Sequence, residues 1–312
     1  MPVRLPPVTE HASRILLAGI VDYAGLFPPA ALSLPAALRN FAHYRAGGSG
    51  WMLGRFVCPA SSLEQFSQLA DPLLPRDAGA IPWRLSATAS KDIVADMAAI
   101  AAFNQRHRVC FDECGAFVDA YEVRVTSERE LSQVERAVPR DLVTYLEIPY
   151  AAAGELVPLL EDTSRRAKLR TGGVTEDAFP SVEEIIGFLH CTIAYGVPAK
   201  ATAGLHHAVR GLYNLTYASD SPSGTMYGYL NLFLAAALLA DGADSDVAAR
   251  VLQESDSSTL EFTEQSVTWR DSSGPVVVDR QLLQRTREQV LVSFGSCSFT
   301  EPVEEFRRLT SA

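Results

Sequence analysis

The stretch that decides the fold runs from residue 166 to residue 205 and reads RAKLRTGGVTEDAFPSVEEIIGFLHCTIAYGVPAKATAGL. Short apolar runs at Arg166–Leu169 and Val197–Ala201 predict two strands, and Ser181–Tyr195 between them has the spacing of an amphipathic helix. A strand, a helix and a second strand in this order form a parallel crossover unit. Lys168 and Lys200 stand in these two strands, so the unit brings two ammonium groups to neighbouring carboxyl ends of one sheet.

The same alternation of strand-like and helix-like segments extends over most of the chain. Further strands are predicted at Leu16–Val21, Trp51–Val57, Trp83–Ala87, Ala116–Val125, Leu142–Ile148 and Val290–Phe294. Further helices are predicted at Leu34–Arg45, Ser62–Leu69, Lys91–Arg106, Glu128–Ala137 and Gly154–Thr163. Eight strands alternating with helices predict an α/β fold, a single (β/α)8 TIM barrel over residues 1–312. A doubly wound open sheet is the alternative.

A long segment, residues 211–288, interrupts this rhythm before the last strand. It contains an apolar helix at Met226–Ala240, a second helix at Ser245–Glu254 and a hairpin from Thr259–Trp269 to Pro275–Val278. We interpret it as an insertion in the barrel that forms a lid or an oligomer contact. The apolar helix is expected either in the barrel wall or in the contact of a homodimer.

Composition and charge narrow the class of protein. A formal charge of −10, with no run of lysines or arginines, argues against a nucleic-acid partner. No stretch approaches the roughly 20 apolar residues of a membrane span, so no membrane partner is expected. An odd number of cysteines, mostly in apolar runs, favours a reduced cytoplasmic protein. These cysteines are Cys58, Cys110, Cys114, Cys191 and Cys297.

Polar residues stand where each predicted strand should reach the carboxyl face of the barrel. They are Asp22, Arg55, Ser86 with Thr88, Glu122 with Arg124, Glu147, Lys168 with Arg170, and Lys200 with Thr202. That face carries the active site in TIM-barrel enzymes. Any one of these residues can be explained as a strand end meeting water, but their convergence predicts a site for a small-molecule substrate.

Two glycine-containing turns at the strand ends offer backbone N–H groups and hydroxyls to an anion. One is Thr171-Gly172-Gly173 and the other is Gly295-Ser296-Cys297-Ser298, each followed by a helix. Arg170 favours a carboxylate or phosphate at the mouth because its fork matches their geometry. Either turn can equally need its glycine for backbone geometry alone. Asp22 begins a loop rich in aromatic residues and proline, which we interpret as a tight turn that packs Phe27 on the barrel; the alternative is that it walls one side of the pocket, with Asp22 contributing a carboxylate.

His206 and His207 follow the strand of Lys200 directly. Either one is expected to contact substrate or to act as an acid or base, and a structural role is an alternative. A metal site with Glu147, Glu122 or Asp22 is a further alternative, although adjacent residues of an extended chain point apart.

Taken together, the segments resemble the deoxyribose-phosphate aldolase group of class I aldolases, mainly over residues 142–205 and 290–300. The family pattern Lys-x-x-Thr-Gly is matched by Lys168-Leu169-Arg170-Thr171-Gly172. The place of the family's Lys-x-x-Gly-Gly reads Lys200-Ala201-Thr202-Ala203-Gly204 here. The place of the family's closing Phe-Gly-x-Ser-Ser reads Phe294-Gly295-Ser296-Cys297-Ser298 here. Arg170, the two histidines and the segment 211–288 depart from the family.

The resemblance implies specific roles for these residues. Lys168 would form the Schiff base, Lys200 would tune it, and Glu147 and Glu122 are the acidic residues that match the family. It implies a phosphate loop at residues 294–298 and no cofactor.

A Schiff-base lysine must be neutral to attack a carbonyl, whereas a free lysine has a pKa near 10.4. Desolvation and a second cation nearby both lower that pKa, and Lys200 and Arg170 would supply the second effect for Lys168. Glu122 or Glu147 would then carry protons to and from the substrate. Two other interpretations stay open, an internal lattice of Lys168–Glu147 and Lys200–Glu122 ion pairs and a simple anion site.

The leading hypothesis is therefore a lysine-dependent, aldolase-like lyase that acts on a small, anionic carbonyl compound. The alternatives are a metal-dependent lyase or isomerase that uses His206 or His207, and a non-catalytic barrel that binds a small anion.

Overall fold

A computed structural model of the chain describes residues 11–76, 80–107 and 115–311. The strands in these ranges are β1 (Val21–Tyr23), β2 (Leu53–Pro59), β3 (Trp83–Thr88), β4 (Ala116–Arg124), β5 (Val143–Glu147), β6 (Arg165–Arg170), β7 (Ala199–Thr202), β8 (Gly211–Asn214), β9 (Ser223–Met226), β10 (Leu260–Phe262), β11 (Ser266–Asp271), β12 (Gly274–Asp279) and β13 (Leu291–Ser296). The α-helices are α1 (Ala12–Leu17), α2 (Leu34–Ala46), α3 (Leu63–Ala70), α4 (Ile93–His107), α5 (Glu128–Ala137), α6 (Ala153–Leu156), α7 (Val182–Ala194), α8 (Tyr229–Ala240), α9 (Ser245–Gln253), α10 (Arg280–Arg285) and α11 (Thr300–Ser311).

Eight parallel strands close into a barrel in the order β1, β13, β7, β6, β5, β4, β3, β2. Closure is made by β1, which pairs with β2 on one side and places Val21 beside Phe294 of β13 on the other. The predicted (β/α)8 barrel is therefore confirmed, and the open sheet is wrong because no edge remains between β1 and β13. Because all eight strands are parallel, their carboxyl ends lie together at one mouth of the barrel.

The crossover unit that decided the fold forms as expected. Ser181 caps α7 by accepting a hydrogen bond from the backbone of Glu184, whose side chain in turn accepts one from the backbone of Ser181. The buried face of α7 packs its apolar side chains against the barrel, which is where most of the stability of an amphipathic helix arises. The helix therefore fixes β6 and β7 side by side.

The predicted strand at Leu16–Val21 is wrong over its first residues. His11 caps the helix α1 by accepting a hydrogen bond from the backbone of Ser13, and strand pairing begins at Val21. Ala12 and Leu16 lie four residues apart on the buried side of α1. A short apolar run fits either a strand or a buried helical turn, so the pattern alone did not separate the two.

The predicted helix at Gly154–Thr163 is also too long. The α-helix α6 ends at Leu156, and Pro158–Leu160 continues as a turn of 3-10 helix. Pro158 has no backbone N–H to donate to the preceding turn, so the α-helix cannot continue through it.

The segment from residue 211 to residue 288 combines an unexpected hairpin, the three α-helices α8, α9 and α10, and a small sheet. The strands β8 and β9 form the hairpin, and the apolar helix α8 therefore begins at Tyr229 rather than at Met226. The strands β10, β11 and β12 form a three-stranded antiparallel sheet instead of a two-stranded hairpin.

Helix α8 belongs to the wall of the barrel. The residues of Tyr229–Leu239 are all buried within the chain, and the ring of Tyr229 stacks on Phe294 with the ring centroids 5.0 Å apart. The Tyr229 hydroxyl donates a hydrogen bond to the carbonyl of Pro302, 3.0 Å away. The helix thus takes the crossover position between β7 and β13, and a homodimer stays a prediction. In the described part of the chain no helix has the length and apolar character needed to cross a membrane.

Candidate active site

Strand register places four charged residues in one row across neighbouring strands of the barrel. Arg124 of β4 pairs with Glu147 of β5, Glu147 with Lys168 of β6, and Lys168 with Lys200 of β7. Glu122 precedes Arg124 by two residues, so the two side chains leave β4 on the same side. The row stands at the carboxyl ends of the strands, which is the face where TIM-barrel enzymes hold their chemistry.

Five of the side chains at the mouth form a chain of alternating charge. Lys168 Nζ lies 2.9 Å from Glu147 Oε2 and 2.9 Å from Glu122 Oε2. Lys200 Nζ lies 2.6 Å from Glu122 Oε1 and 2.6 Å from Asp22 Oδ2. Glu122 therefore links the two ammonium groups through its two oxygens, and any proton lost by Lys168 has a carboxylate within hydrogen-bond distance.

Neutral groups hold the buried carboxylates of this chain in place. Ser86 donates a hydrogen bond to Glu122 Oε1 at 2.6 Å, and Ser293 donates one to Asp22 Oδ2 at 3.1 Å. The backbone N–H of Arg55 donates to Asp22 Oδ1 at 2.7 Å. Gly54 makes room for this contact, because a Cβ there would stand 2.4 Å from the same oxygen. The oxygens of Asp22 and Glu122 are thus fixed before any substrate enters.

The surrounding charges keep these groups ionised. Burial alone would raise the pKa of Glu122, but Lys168, Lys200 and the hydrogen bonds from Lys200 and Ser86 hold that pKa well below its ordinary value. The pKa of Glu147 is lowered against the effect of its burial by Lys168 and Arg170. Burial would lower the pKa of Lys200, yet Asp22 and Glu122 raise it above its ordinary value.

The two lysines differ in how far they are accessible. The side chain of Lys200 is 1% exposed and that of Lys168 is 10% exposed. Lys200, with a raised pKa and two carboxylate partners, keeps its proton, so it serves as a fixed cation. Lys168 presents its amine to the pocket and is the better placed of the two to meet a carbonyl group.

The mouth contains a pocket of about 490 Å³, a volume within the range of small-molecule sites. Phe27, Pro28 and Pro29, in the loop after β1, form one wall, which was the alternative interpretation of this loop. Of the residues predicted at the strand ends, in the glycine-containing turns and at the histidine pair, twelve line the pocket. They are Thr88, Glu122, Arg124, Glu147, Lys168, Arg170, Gly173, Lys200, Thr202, His206, Gly295 and Cys297.

The other predicted site residues lie outside the pocket lining, and most have structural partners. Asp22 is fully buried beneath Lys200. Thr171 is fully buried and donates its hydroxyl hydrogen bond to the carbonyl of Ala203 at 2.6 Å. A Cβ at Gly172 would stand 2.4 Å from the ring of Phe179, so that glycine permits a close approach.

At the second predicted anion turn, the hydroxyls are used within the protein. Ser298 accepts a hydrogen bond from the backbone N–H of Glu301 at the start of α11, 3.2 Å away. Ser296 is buried, accepts a hydrogen bond from the Ser298 backbone and lies 3.3 Å from His206 Nδ1. Gly295 remains on the pocket surface. The turn thus presents its glycine, rather than its serine hydroxyls, to the pocket.

The two adjacent histidines point to different partners. His206 Nδ1 lies 3.5 Å from Glu301 Oε2 and 3.8 Å from Cys297 Sγ, on the wall of the pocket. His207 stacks on Tyr213 with ring centroids 3.4 Å apart and pairs with Glu305 at 2.6 Å. Within the described ranges, no group of three or more histidine, cysteine, aspartate or glutamate side chains is arranged to hold a metal ion.

His206 should make the stability of the protein depend on alkaline pH. Burial alone would lower the pKa of His206, but hydrogen bonds to Cys297 and Glu301 raise it from 6.5 to about 9. A raised pKa stabilises the fold fully below pH 6.5, and this stabilisation is lost as the pH rises through about 9. We expect urea unfolding to show up to about 3 kcal/mol less stability at pH 9.5 than at pH 6.5. A His206→Gln variant should lack this loss, so parallel pH profiles of the two proteins would contradict the assignment.

Two groups beside the pocket, Tyr217 and Glu301, were not among the residues that we predicted to form the site. Arg124, which was predicted at the end of its strand with Glu122, lines the pocket. Tyr217 donates a hydrogen bond to Glu301 at 2.9 Å and lies 3.7 Å from Cys297. Tyr217 comes from the loop of the β8–β9 hairpin, far from Glu301 in the chain, so no local sequence pattern indicates this contact.

The chain matches no profile of a known protein family and no curated protein sequence. A TIM barrel supports many unrelated reactions, so the fold does not identify one. The reaction has to be inferred from the groups at the mouth of the barrel and from their geometry.

Proposed function

We propose that the protein is a lysine-dependent lyase of the aldolase type, in which Lys168 forms a Schiff base with a small carbonyl compound. One observation carries the proposal. The Lys168 amine faces the pocket 2.9 Å from Glu122, and the other oxygen of that carboxylate holds the cation Lys200. This arrangement combines a nucleophile, a proton acceptor and a fixed positive charge at one point.

The groups present suffice for each step of such a reaction. Lys168 gives a proton to Glu122 or Glu147, and its neutral amine attacks the carbonyl carbon. The carbonyl oxygen then leaves as water, with one proton from the amine nitrogen and the other returned by the protonated carboxyl group. The resulting iminium accepts the electron pair of the carbon–carbon bond that breaks, while a carboxylate takes the proton from the substrate hydroxyl. Protonation of the enamine and hydrolysis then regenerate the free amine.

The residue usage of the chain supports a chemical role for these lysines. Of the 27 lysines and arginines, three are lysines, Lys91, Lys168 and Lys200. Two of the three stand together at the mouth of the barrel. Arginine can fill an ion pair but cannot lose its proton in a protein, whereas lysine can become a neutral nucleophile. The rare use of lysine elsewhere therefore favours chemistry at this pair.

Reductive trapping tests the proposal directly. Incubation with sodium borohydride and a panel of aldehydes and 2-oxo acids should leave a stable secondary amine on the peptide that contains Lys168. Lys91 is an exposed lysine and serves as the internal control for non-specific modification. No adduct with any carbonyl compound, or equal modification of Lys91 and Lys168, would refute the Schiff base. Addition of a chelator should leave trapping unchanged, whereas a reaction that depends on metal at His206 or His207 would be lost.

A non-catalytic barrel that binds a small anion is the second candidate. Both ion pairs of the predicted lattice are present, Lys168 with Glu147 at 2.9 Å and Lys200 with Glu122 at 2.6 Å. A Lys168→Met variant that binds the same anion as the wild type, together with negative trapping, would favour this candidate.

The cellular setting is also a proposal. Cys58, Cys191 and Cys297 are free thiols, which suits the reducing cytoplasm. Cys110 and Cys114 lie outside the described residues.

A further inference from the structure

Two guanidinium groups stand on either side of Glu147 at the rim of the pocket. Arg124 is the strand neighbour of Glu147, and Arg170 Nε lies 3.2 Å from Glu147 Oε1. Both arginines line the main pocket and also an adjoining cleft of about 300 Å³. They therefore mark the boundary between the two spaces, beside the amine of Lys168.

The carboxylates at the mouth are already neutralised, whereas the guanidinium groups have unused donors. Glu122 contacts two lysines, Glu147 contacts Lys168 and Arg170, and Asp22 contacts Lys200. Among the described residues, the Arg170 side chain bonds Glu147 through Nε alone, and the Arg124 side chain makes no hydrogen bond or ion pair. This rim is therefore suited to an anion and not to a cation.

The carboxylate of Glu130, near Arg124, does not remove the preference of the rim for an anion. Arg124 contributes to lowering the pKa of Glu130, but the hydrogen bonds from the backbone and the hydroxyl of Thr126 contribute more. Those bonds are 2.6 and 2.8 Å long and occupy Glu130 Oε2. Glu130 is thus held by its own helix cap, and the Arg124 donors remain available to a ligand at the rim.

The spacing between Lys168 and Arg170 limits what kind of anion fits. Glu147 contacts Lys168 Nζ with one oxygen and Arg170 Nε with the other, so the two cations are bridged by a single carboxyl group. A substrate that reacts with Lys168 while its anionic group meets Arg170 must carry the two groups close together. In a 2-oxo acid the carbonyl carbon is bonded directly to the carboxylate, and a planar carboxylate matches the guanidinium fork.

We infer that the substrate which reacts with Lys168 is a short 2-oxo acid whose carboxylate is bound by Arg124 and Arg170. This inference rests on the proposed Schiff-base function and adds the substrate class to it. Lys168 attacks the 2-oxo carbon, the oxo oxygen leaves as water, and the carboxylate stays intact between the two arginines. Arg124 is a specificity residue in this scheme because it contacts the substrate but not the carbon that reacts.

Trapping with matched carbonyl probes tests the substrate class. Pyruvate carries the carboxylate, hydroxyacetone is a neutral compound of similar size, and glyceraldehyde 3-phosphate carries a phosphate farther from its carbonyl. With cyanoborohydride as the hydride donor, we expect pyruvate to reach half-maximal labelling of Lys168 at a concentration about tenfold below that of hydroxyacetone. An Arg124→Gln variant should raise the pyruvate concentration needed for half-maximal labelling about tenfold and leave the corresponding hydroxyacetone concentration unchanged.

The control variant is Arg39→Gln, which removes one positive charge from the exposed side of α2 and should change neither value. Equal labelling by pyruvate and hydroxyacetone, or preferred labelling by glyceraldehyde 3-phosphate, would overturn the 2-oxo acid while the Schiff base stands. An Arg124→Gln variant that impairs both probes equally would overturn the specificity role.

Calorimetric titration with lactate examines the arginine pair without the covalent step, because lactate has the carboxylate but no carbonyl. We expect lactate to bind the wild type, and to bind Arg124→Gln with an affinity about tenfold lower. An unchanged lactate affinity in Arg124→Gln would overturn the assignment of Arg124 to the carboxylate site. Absence of any trapped adduct would overturn the Schiff-base proposal and the 2-oxo acid substrate with it. Lactate binding would then assign the mouth to anion binding.

Discussion

Replacement of Lys200 with methionine is expected to destabilise the protein by about 3–5 kcal/mol, the usual cost of removing one partner from a buried ion pair. Lys200 is fully buried and lies 2.6 Å from both Asp22 and Glu122. Methionine fills a similar volume but leaves the Asp22 carboxylate without an ammonium partner and Glu122 with Lys168 alone. Urea unfolding at pH 7, followed by circular dichroism, measures the loss.

Two further variants separate this effect from a loss of packing. Lys168→Met should cost less, because Lys168 is more exposed and its loss leaves Lys200 on Glu122 and Arg170 on Glu147. Lys200→Met combined with Asp22→Asn should recover part of the stability, since it removes one of the two buried negative charges. Equal losses for Lys200→Met and Lys168→Met would contradict the assignment of Lys200 as the central cation.

The difference in the free energy of unfolding between the wild type and Lys200→Met should also depend on pH. Lys168 and Lys200 hold the pKa of Glu122 below its ordinary value. Their stabilising effect is therefore present when the pH is above the ordinary pKa of a glutamate, and it is lost as the pH falls toward the lowered pKa. We expect the stability gap to narrow below about pH 4, where carboxylates of ordinary pKa take up protons. A smaller difference in the free energy of unfolding at low pH would show that unpaired carboxylate charge destabilises Lys200→Met.

The barrel could be predicted because its signals are local and repeated. A capped amphipathic helix such as α7 and the apolar runs on either side of it are readable from residue spacing alone. The same reasoning failed at Leu16 and Leu17, where an apolar run is helical because His11 caps it and the barrel strand starts later. It also failed to foresee the β8–β9 hairpin, whose strands are short and mostly exposed or half-buried.

The charged mouth was predictable for a geometric reason. Parallel strands bring their carboxyl ends together, so Glu122, Glu147, Lys168 and Lys200 had to converge once the barrel formed. The partner of each group was not fixed by this reasoning. Whether Glu122 serves one lysine or both depends on side-chain rotamers, and the contact of Lys200 with Asp22 depends on closure between β1 and β13.

Turn residues were harder to assign than strand residues. The hydroxyls of Thr171 and Ser298 are typical of an anion site, and they are equally typical of groups that satisfy the backbone of a turn or a helix end. In the structure Thr171 donates to a carbonyl and Ser298 caps α11. Sequence spacing alone does not distinguish a hydroxyl that faces the pocket from one that faces its own backbone.

Replacement of Glu122 with glutamine is expected to slow the formation of the Lys168 adduct by about 10²- to 10⁴-fold, the usual contribution of a positioned acid–base group. Glutamine has the same shape and can still accept the hydrogen bond from Ser86, but it cannot take the proton that Lys168 must lose. Lys168 keeps Glu147 and Lys200 keeps Asp22, so each ammonium retains one carboxylate and the fold should persist. Rapid-quench trapping with borohydride measures the rate, and near-UV circular dichroism checks the fold.

Glu147→Gln is the matched control because it removes the other carboxylate in contact with Lys168. Glu147 is shared with Arg170 at the rim, whereas Glu122 is buried between the two lysines. If Glu122 carries the proton, Glu122→Gln should slow the reaction at saturating substrate, and Glu147→Gln should act mainly on the concentration required for half-maximal labelling. Equal slowing of the saturated rate by the two variants would mean that both carboxylates share the proton transfer and would contradict the special role of Glu122. An unchanged rate in Glu122→Gln would leave the buried carboxylate with the role of holding the two ammonium groups together.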